Sequence, residues 1–113
     1  MRTKFPKIIH SRTYGPDCGD GWFELISNLC RCIQIYIDNN QHNNVKQVYA
    51  TQIKEKFGGL RFYTNYSEEY IKGMIWFAEY LSYTICEKCG NPGKLSDTHW
   101  VRTLCEDCKN ESG

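Results

Sequence analysis

Cys86-Glu87-Lys88-Cys89-Gly90 and Leu104-Cys105-Glu106-Asp107-Cys108 carry two CxxC pairs with 15 residues, Gly90 to Leu104, between them. Four thiolates at that spacing complete a tetrahedral Zn²⁺ shell, so Cys86, Cys89, Cys105 and Cys108 are the expected metal ligands. Gly90 after the second sulfur lets the chain turn tightly and aim backbone N–H groups at the thiolates, which offsets the cost of gathering negative charge. Four protein sulfurs leave no coordination position for water or substrate, and the expected zinc is therefore structural. Between the pairs, Asn91-Pro92-Gly93 reads as a turn and His99 to Arg102 as one strand of a short hairpin, which suits either a zinc ribbon or a treble clef. The few residues after Cys108 allow a closing helix of about one turn. His99 is surplus to four thiolates and reads as a surface histidine.

The rest of the chain must give that segment something to lean on. At 113 residues there is room for one modest core, and 41% hydrophobic and 14% aromatic residues argue for a packed globule. The expected organisation is a small α+β body over 1–84 with a basic N-terminal arm, and a zinc-binding module over 85–113 packed on it. A net charge of +1 argues against a strongly basic nucleic-acid protein. Seven cysteines leave one over in any full disulfide scheme, whereas four ligands plus ordinary thiols at Cys18, Cys30 and Cys32 leave none. Met1 to Arg12 has no apolar run of the kind a secretory leader or membrane span needs, so reduced thiols, no membrane partner and a cytoplasmic location are expected.

Arg2, Lys4, Lys7 and Arg12 make the start basic, and the turn-rich Tyr14 to Gly21 reads as an irregular loop with the arm solvated ahead of it. From Trp22 to about Asp38, apolar residues at 22, 25, 26, 29, 33, 36 and 37 share one helical face, with Asp20 as the expected N-cap. Cys30 falls on the buried side and Cys32 on its flank, both as small hydrophobes of the core or its boundary. Gln47 to Tyr66 reads as a β-hairpin turning at Gly58-Gly59, with Ile53, Phe57, Leu60 and Phe62 on one side. The other side shows Lys54, Lys56, Arg61 and Tyr63. Glu55 then faces the apolar side beside Phe62, and a bulge shifting the register by one would set it against Arg61 as an ion pair.

Ser67 is the expected N-cap of a second helix reaching about Thr84, whose core stripe is Ile71, Met74, Ile75, Ala78, Leu81 and Ile85. Trp76, Tyr80 and Tyr83 recur on roughly the opposite face. A helix apolar on two sides should be sandwiched, with the zinc module covering the aromatic stripe; a partner surface is the alternative.

Cys18-Gly19-Asp20-Gly21-Trp22, then Lys54-Glu55-Lys56-Phe57-Gly58-Gly59-Leu60-Arg61-Phe62-Tyr63, then Leu81-Ser82-Tyr83 followed by the Cys86-Glu87-Lys88-Cys89-Gly90 knuckle, occur in that order. On these motifs the chain resembles a family of small uncharacterised bacteriophage and prophage proteins over residues 14 to 108. Members of that family often close the metal site with Cys-x-x-His where this chain has Cys105 and Cys108, a change that keeps four ligands. The resemblance implies a phage setting, in which small proteins commonly act on host machinery by stoichiometric binding, and brings with it no assigned activity.

The expected function is accordingly that of a non-enzymatic phage-encoded binding protein, an anti-CRISPR-like inhibitor of a bacterial defence system. Its partner would be a host protein or ribonucleoprotein such as a CRISPR effector, met through Lys54, Lys56, Arg61 and Tyr63 or through Trp76, Tyr80 and Tyr83. Direct binding of single-stranded nucleic acid by a zinc protein with basic and aromatic residues is the alternative. A cysteine nucleophile at Cys18, with Asp17, Asp20 and His10, is a third and weaker reading, because no spacing holds those groups together.

Overall fold

The structure, a computed structural model, describes residues 5–96 and 100–112. It is α+β, with β1 (Tyr14–Asp17), α1 (Phe23–Asn39), β2 (Ala50–Lys56), β3 (Gly59–Thr64), α2 (Glu69–Ser82), β4 (Lys94–Leu95), β5 (Thr103–Leu104) and α3 (Glu106–Ser112) in chain order. The first sheet has the order β1-β2-β3, with β1 parallel and β3 antiparallel to β2; β4 and β5 pair as a separate antiparallel hairpin.

The expected amphipathic helix is α1, which buries Ile26, Leu29, Cys30, Ile33 and Ile37. Cys32, expected at the core boundary, is exposed. Asp20 does not cap the helix: it begins a short 3₁₀ turn, Asp20–Trp22, and the position before α1 is taken by Trp22, whose side chain makes no cap bond. At the other end side chains supply what the backbone lacks, since Asn40 Nδ2 donates to the Tyr36 carbonyl and Gln41 Nε2 to that of Ile37.

The hairpin is present, but its turn lies one residue earlier than the glycine pair suggests. Lys56 pairs with Gly59, leaving Phe57-Gly58 as the two-residue loop, both left-handed at φ 52° and 84°. The Glu55 carboxylate accepts the Gly58 N–H at 2.6 Å, which holds the turn in this register. No bulge brings Glu55 to Arg61; Glu55 pairs with Leu60 and Arg61 with Lys54. Phe57 therefore leaves the apolar side and stands exposed, while Ile53, Leu60 and Phe62 are buried.

Glu68, not Ser67, caps α2, accepting the Ile71 N–H at 2.9 Å on one carboxylate oxygen and the Tyr36 hydroxyl at 2.8 Å on the other. The helix buries Ile71, Ile75, Ala78 and Ser82; Met74, Leu81 and Ile85 are half-buried at the margin. It also shields the free edge of β3. Leu60 N–H donates to Ser82 Oγ and Phe62 N–H to Glu79 Oε2, each at 2.9 Å, so side chains take the place of another strand.

The N-terminal part corrects the sequence reading most. Ile8 and Ile9 are fully buried, the Ala50 N–H donates to the Ile8 carbonyl, and Thr13 Oγ1 donates to the Ala50 carbonyl at 2.7 Å. Tyr14–Asp17, expected as loop, adds a parallel strand to the sheet. From Phe5 onward the arm is an integral layer of the body; Arg2 and Lys4 lie outside the described residues.

Candidate metal centre

Cys86 and Cys89 sit on the turn before Gly90, whose N–H closes onto the Cys86 carbonyl at 2.9 Å. Cys105 stands immediately before α3 and Cys108 in its first turn, where the Cys108 N–H donates to Cys105 Sγ at 3.4 Å. The β4–β5 hairpin joins the two. Knuckle, hairpin and helix in that order, with two ligands from the knuckle and two from the helix start, make a treble clef and not a ribbon. The closing helix is seven residues, longer than the single turn expected. The expected strand at His99–Arg102 falls at Thr103–Leu104 instead; His99 lies outside the described residues.

The four sulfurs lie within 4.8 Å of one another, and Cys89 Sγ is 3.6 Å from Cys105 Sγ. That is far beyond a sulfur–sulfur bond of about 2.05 Å, and near the separation of about 3.8 Å that a tetrahedral ion with bonds of about 2.3 Å to sulfur imposes. All seven cysteines are free thiols. The donor set fits a metal ion, and Cys86, Cys89, Cys105 and Cys108 would hold it. Burial pushes the Cys86 thiol up, but the N–H groups of Cys105, Cys89 and Lys88 directed at its sulfur outweigh that and bring it down to about 6. Burial and the neighbouring sulfurs hold Cys108 well above the ordinary thiol range. Four clustered sulfurs cannot all ionise unaided; a bound cation would supply the missing charge.

The module is seated on the body through the motifs that stand out in the sequence. Gly19 N–H donates to Glu87 Oε2 at 2.8 Å, Gly21 N–H to the Glu87 carbonyl at 2.7 Å, and Trp22 Nε1–H to the Ile85 carbonyl at 2.9 Å. The two glycines are not there for turn geometry: a Cβ on Gly21 would lie 2.1 Å from the Cys86 carbonyl oxygen, and one on Gly19 2.5 Å from that of Glu87. The knuckle backbone lies directly on them. At the hairpin tip, fully buried Thr103 donates its hydroxyl to the Gly58 carbonyl at 2.7 Å. Glu87, buried between two ligands and 3.8 Å from Arg102, joins the module to the CGDGW loop. Residue spacing gives no hint of its role, because its partners are 66 to 68 positions away.

Lys54, Lys56, Arg61 and Tyr63 do share one side of the hairpin, opposite Ile53, Leu60 and Phe62. The register also brings Tyr14 of β1 beside Gln52, itself paired with Tyr63, so two exposed tyrosines flank Gln52 in one row across three strands. Tyr14 is not legible in the sequence as part of this face, because the turn-rich Tyr14 to Gly21 reads as a loop.

Among the aromatic residues of α2, Trp76 and Tyr80 are exposed and stacked at 6.0 Å, while Tyr83 is half-buried, its ring against Gly59 and its hydroxyl accepting from Arg61 Nη2 at 3.3 Å. The module does not cover the stripe as expected; it sits at the hairpin tip and the CGDGW loop. Arg61, Trp76, Glu79, Tyr80 and Tyr83 line an open groove of about 270 Å³ that joins the two candidate surfaces.

Cys18 has none of the marks of an activated nucleophile. Burial, with Glu87, Asp17, Asp20 and Glu55 nearby, pushes its thiol up to about 12. His10 is occupied elsewhere, accepting the Arg12 N–H and packing on the Tyr49 ring at 4.5 Å. Comparison of the chain with protein-family models, curated proteins and solved structures finds no match. Among the described residues no helix is long and apolar enough to cross a membrane.

Proposed function

We propose that this protein is a non-enzymatic binding protein in which a structural zinc ion fastens the C-terminal module to a body that presents the outer face of its sheet to a partner. The observation that carries the reading is the row Tyr14, Gln52, Tyr63 beside Lys54, Lys56 and Arg61: exposed Tyr14, Tyr63 and Lys56 gathered with half-buried Lys54 and Arg61 on one sheet face. Aromatic rings give rigid contact area at small entropic cost, and the cations set orientation and encounter rate. Zinc is favoured as the ion because four thiolates are soft donors and the treble clef needs no redox or catalytic role from its metal. The phage-protein motifs supply the setting: a host protein or ribonucleoprotein, such as a CRISPR effector, held stoichiometrically.

The test is affinity purification from a bacterial lysate with the zinc-loaded chain, with and without RNase, alongside Lys54→Glu/Lys56→Glu. The expected result is a defined host species that the double variant loses while its circular dichroism is unchanged. Retention of nothing by the parent chain, or equal retention by the variant, overturns the reading. Elemental analysis should give one zinc per chain; iron in its place would overturn the ion assignment alone.

A second reading, direct binding of single-stranded nucleic acid, is favoured by the spacing of Tyr14 and Tyr63 about a polar residue, since rings on a sheet face stack bases regardless of sequence. Three phosphate contacts through Lys54, Lys56 and Arg61 would give a slope of log affinity against log salt of about −2. Affinity independent of salt removes it.

A further inference from the structure

Tyr70, Gly73, Phe77 and Tyr80 follow one another at steps of three, four and three along α2. That is the spacing of a two-heptad coiled-coil seam, and it lies on the side of the helix opposite buried Ile71, Ile75, Ala78 and Ser82. Tyr70, Phe77 and Tyr80 are 61%, 57% and 58% exposed, with Trp76 beside them at 67%. Gly73 is the odd member. It stands within the helix, where glycine is unfavourable, and a Cβ there would meet nothing within 4 Å, so no contact inside the chain accounts for it.

We propose that this face is a self-association seam, in which two copies of the chain pair their α2 helices antiparallel, Gly73 of each receiving Phe77 of the other and Tyr70 meeting Tyr80. A two-fold interface must be complementary to itself, and a notch and a knob one turn apart on the same helix satisfy that when the second helix runs the opposite way. The flanking charges select the same direction. Glu69 and Lys72 lie at the N-terminal end of the seam, and Glu79 and Arg61 at its C-terminal end, Arg61 being tied to Tyr83. Antiparallel pairing sets Glu69 against Arg61 of the other copy, whereas parallel pairing sets Glu69 against Glu69; Glu79 stays on the Phe62 N–H of its own chain.

The groups are also prepared for contact. Glu69 holds Lys72 only loosely, at 3.8 Å with 96% of its own side chain exposed, and among the described residues no carboxylate lies within ion-pair distance of Arg61. Tyr70 is stacked on Tyr36 at 4.4 Å and 6°, and Trp76 on Tyr80, so these side chains have little freedom left to lose. The seam does not use Tyr14, Lys54 or Lys56 and shares Arg61 alone with the binding face proposed above, so Phe77→Lys tests the seam and Lys54→Glu/Lys56→Glu tests the face independently. A dimer would carry two such sheet faces.

Sedimentation equilibrium of the zinc-loaded full chain over about 1 to 100 μM should show the mass rising from that of the 13.3 kDa chain toward twice it. Phe77→Lys should weaken association at least about tenfold, and Gly73→Leu likewise by filling the notch, both with unchanged circular dichroism. Gly73→Ala separates this seam from a merely tolerated glycine: it should raise the melting temperature of dilute monomer and weaken the dimer. Glu69→Arg should weaken association, and Glu69→Arg with Arg61→Glu should restore it. A monomer mass throughout the range overturns the proposal, as does a dimer indifferent to Phe77→Lys and Gly73→Leu.

Discussion

Sixteen buried apolar residues from Ile8 to Ala78 form one core in the body, whereas in the module the described core is Cys86, Leu104 and Cys108, two of them members of the sulfur cluster. The energies follow. Burying a large apolar side chain stabilises by about 1.5–3 kcal/mol, and ordering each residue's backbone costs about 1–2 kcal/mol, so three side chains cannot hold a segment of this length. A metal ion held by the four clustered sulfurs would do in the module what apolar burial does in the body. The two regions then meet along a polar seam, where the backbone and side chain of Glu87, the indole of Trp22 and the hydroxyl of Thr103 are paired across the boundary. A region with so small a core of its own is thus positioned by hydrogen bonds between the knuckle, the hairpin tip and the CGDGW loop.

The sharpest way to break this comparison is to remove a ligand. Cys89→Ser, or stripping with a strong chelator, should remove on the order of 10 kcal/mol of metal-coupled folding free energy from the module. Hydrogen exchange should show protection lost over Ile85–Ser112 and kept in α1, the hairpin and α2; loss everywhere at once would mean the two regions are one cooperative unit. The converse is Ile33→Ala in the body core, expected to cost about 2–5 kcal/mol in chemical denaturation with zinc content per chain unchanged.

The seam between them is tested by Gly21→Ala, whose methyl must displace the Cys86–Glu87 backbone. A loss of about 1–3 kcal/mol is expected, with faster proteolysis of the module than of the body. Trp22→Phe keeps an aromatic ring but loses the rest of the buried indole and its N–H bond to the Ile85 carbonyl, at a cost of about 2 kcal/mol by thermal denaturation. Smallest in energy is the contrast among the other cysteines. Cys18 and Cys30 are pushed up to about 12, first by burial, so mass-spectrometric alkylation at about pH 8 should label exposed Cys32 quickly and these two slowly. Because their folded values exceed the ordinary thiol value of 9.0, the unfolded chain loses these protons first. Stability should fall as pH rises from about 9 toward 12.

Much of the body was legible because its signals are short-range. The apolar face of α1, the alternation about Phe57-Gly58-Gly59 and the inner stripe of α2 are each written within one element. The turn still slipped by one residue, because the Glu55 carboxylate on the Gly58 N–H and the Tyr83 ring against Gly59 decide which pair can be left-handed. Caps were misplaced at both main helices for a related reason. Asp20 and Ser67 are good caps by type, but Trp22 had to be buried at the start of α1, and Glu68 could serve Ile71 and Tyr36 together.

Periodicity and cysteine spacing by themselves determined the two helices, the hairpin and the four cysteines that cluster, since each depends on side chains repeated or grouped over a few positions. Only the tertiary structure decided that Ile8 and Ile9 enter the core, that Tyr14 joins the cationic sheet face, and that the glycines of the CGDGW loop make room for the knuckle. It likewise decided that the outward face of α2 stays open. These outcomes rest on contacts between residues tens of positions apart, Gly19 with Glu87 across 68 and Thr103 with Gly58 across 45. Such pairings exist only once both segments have been brought to the same place.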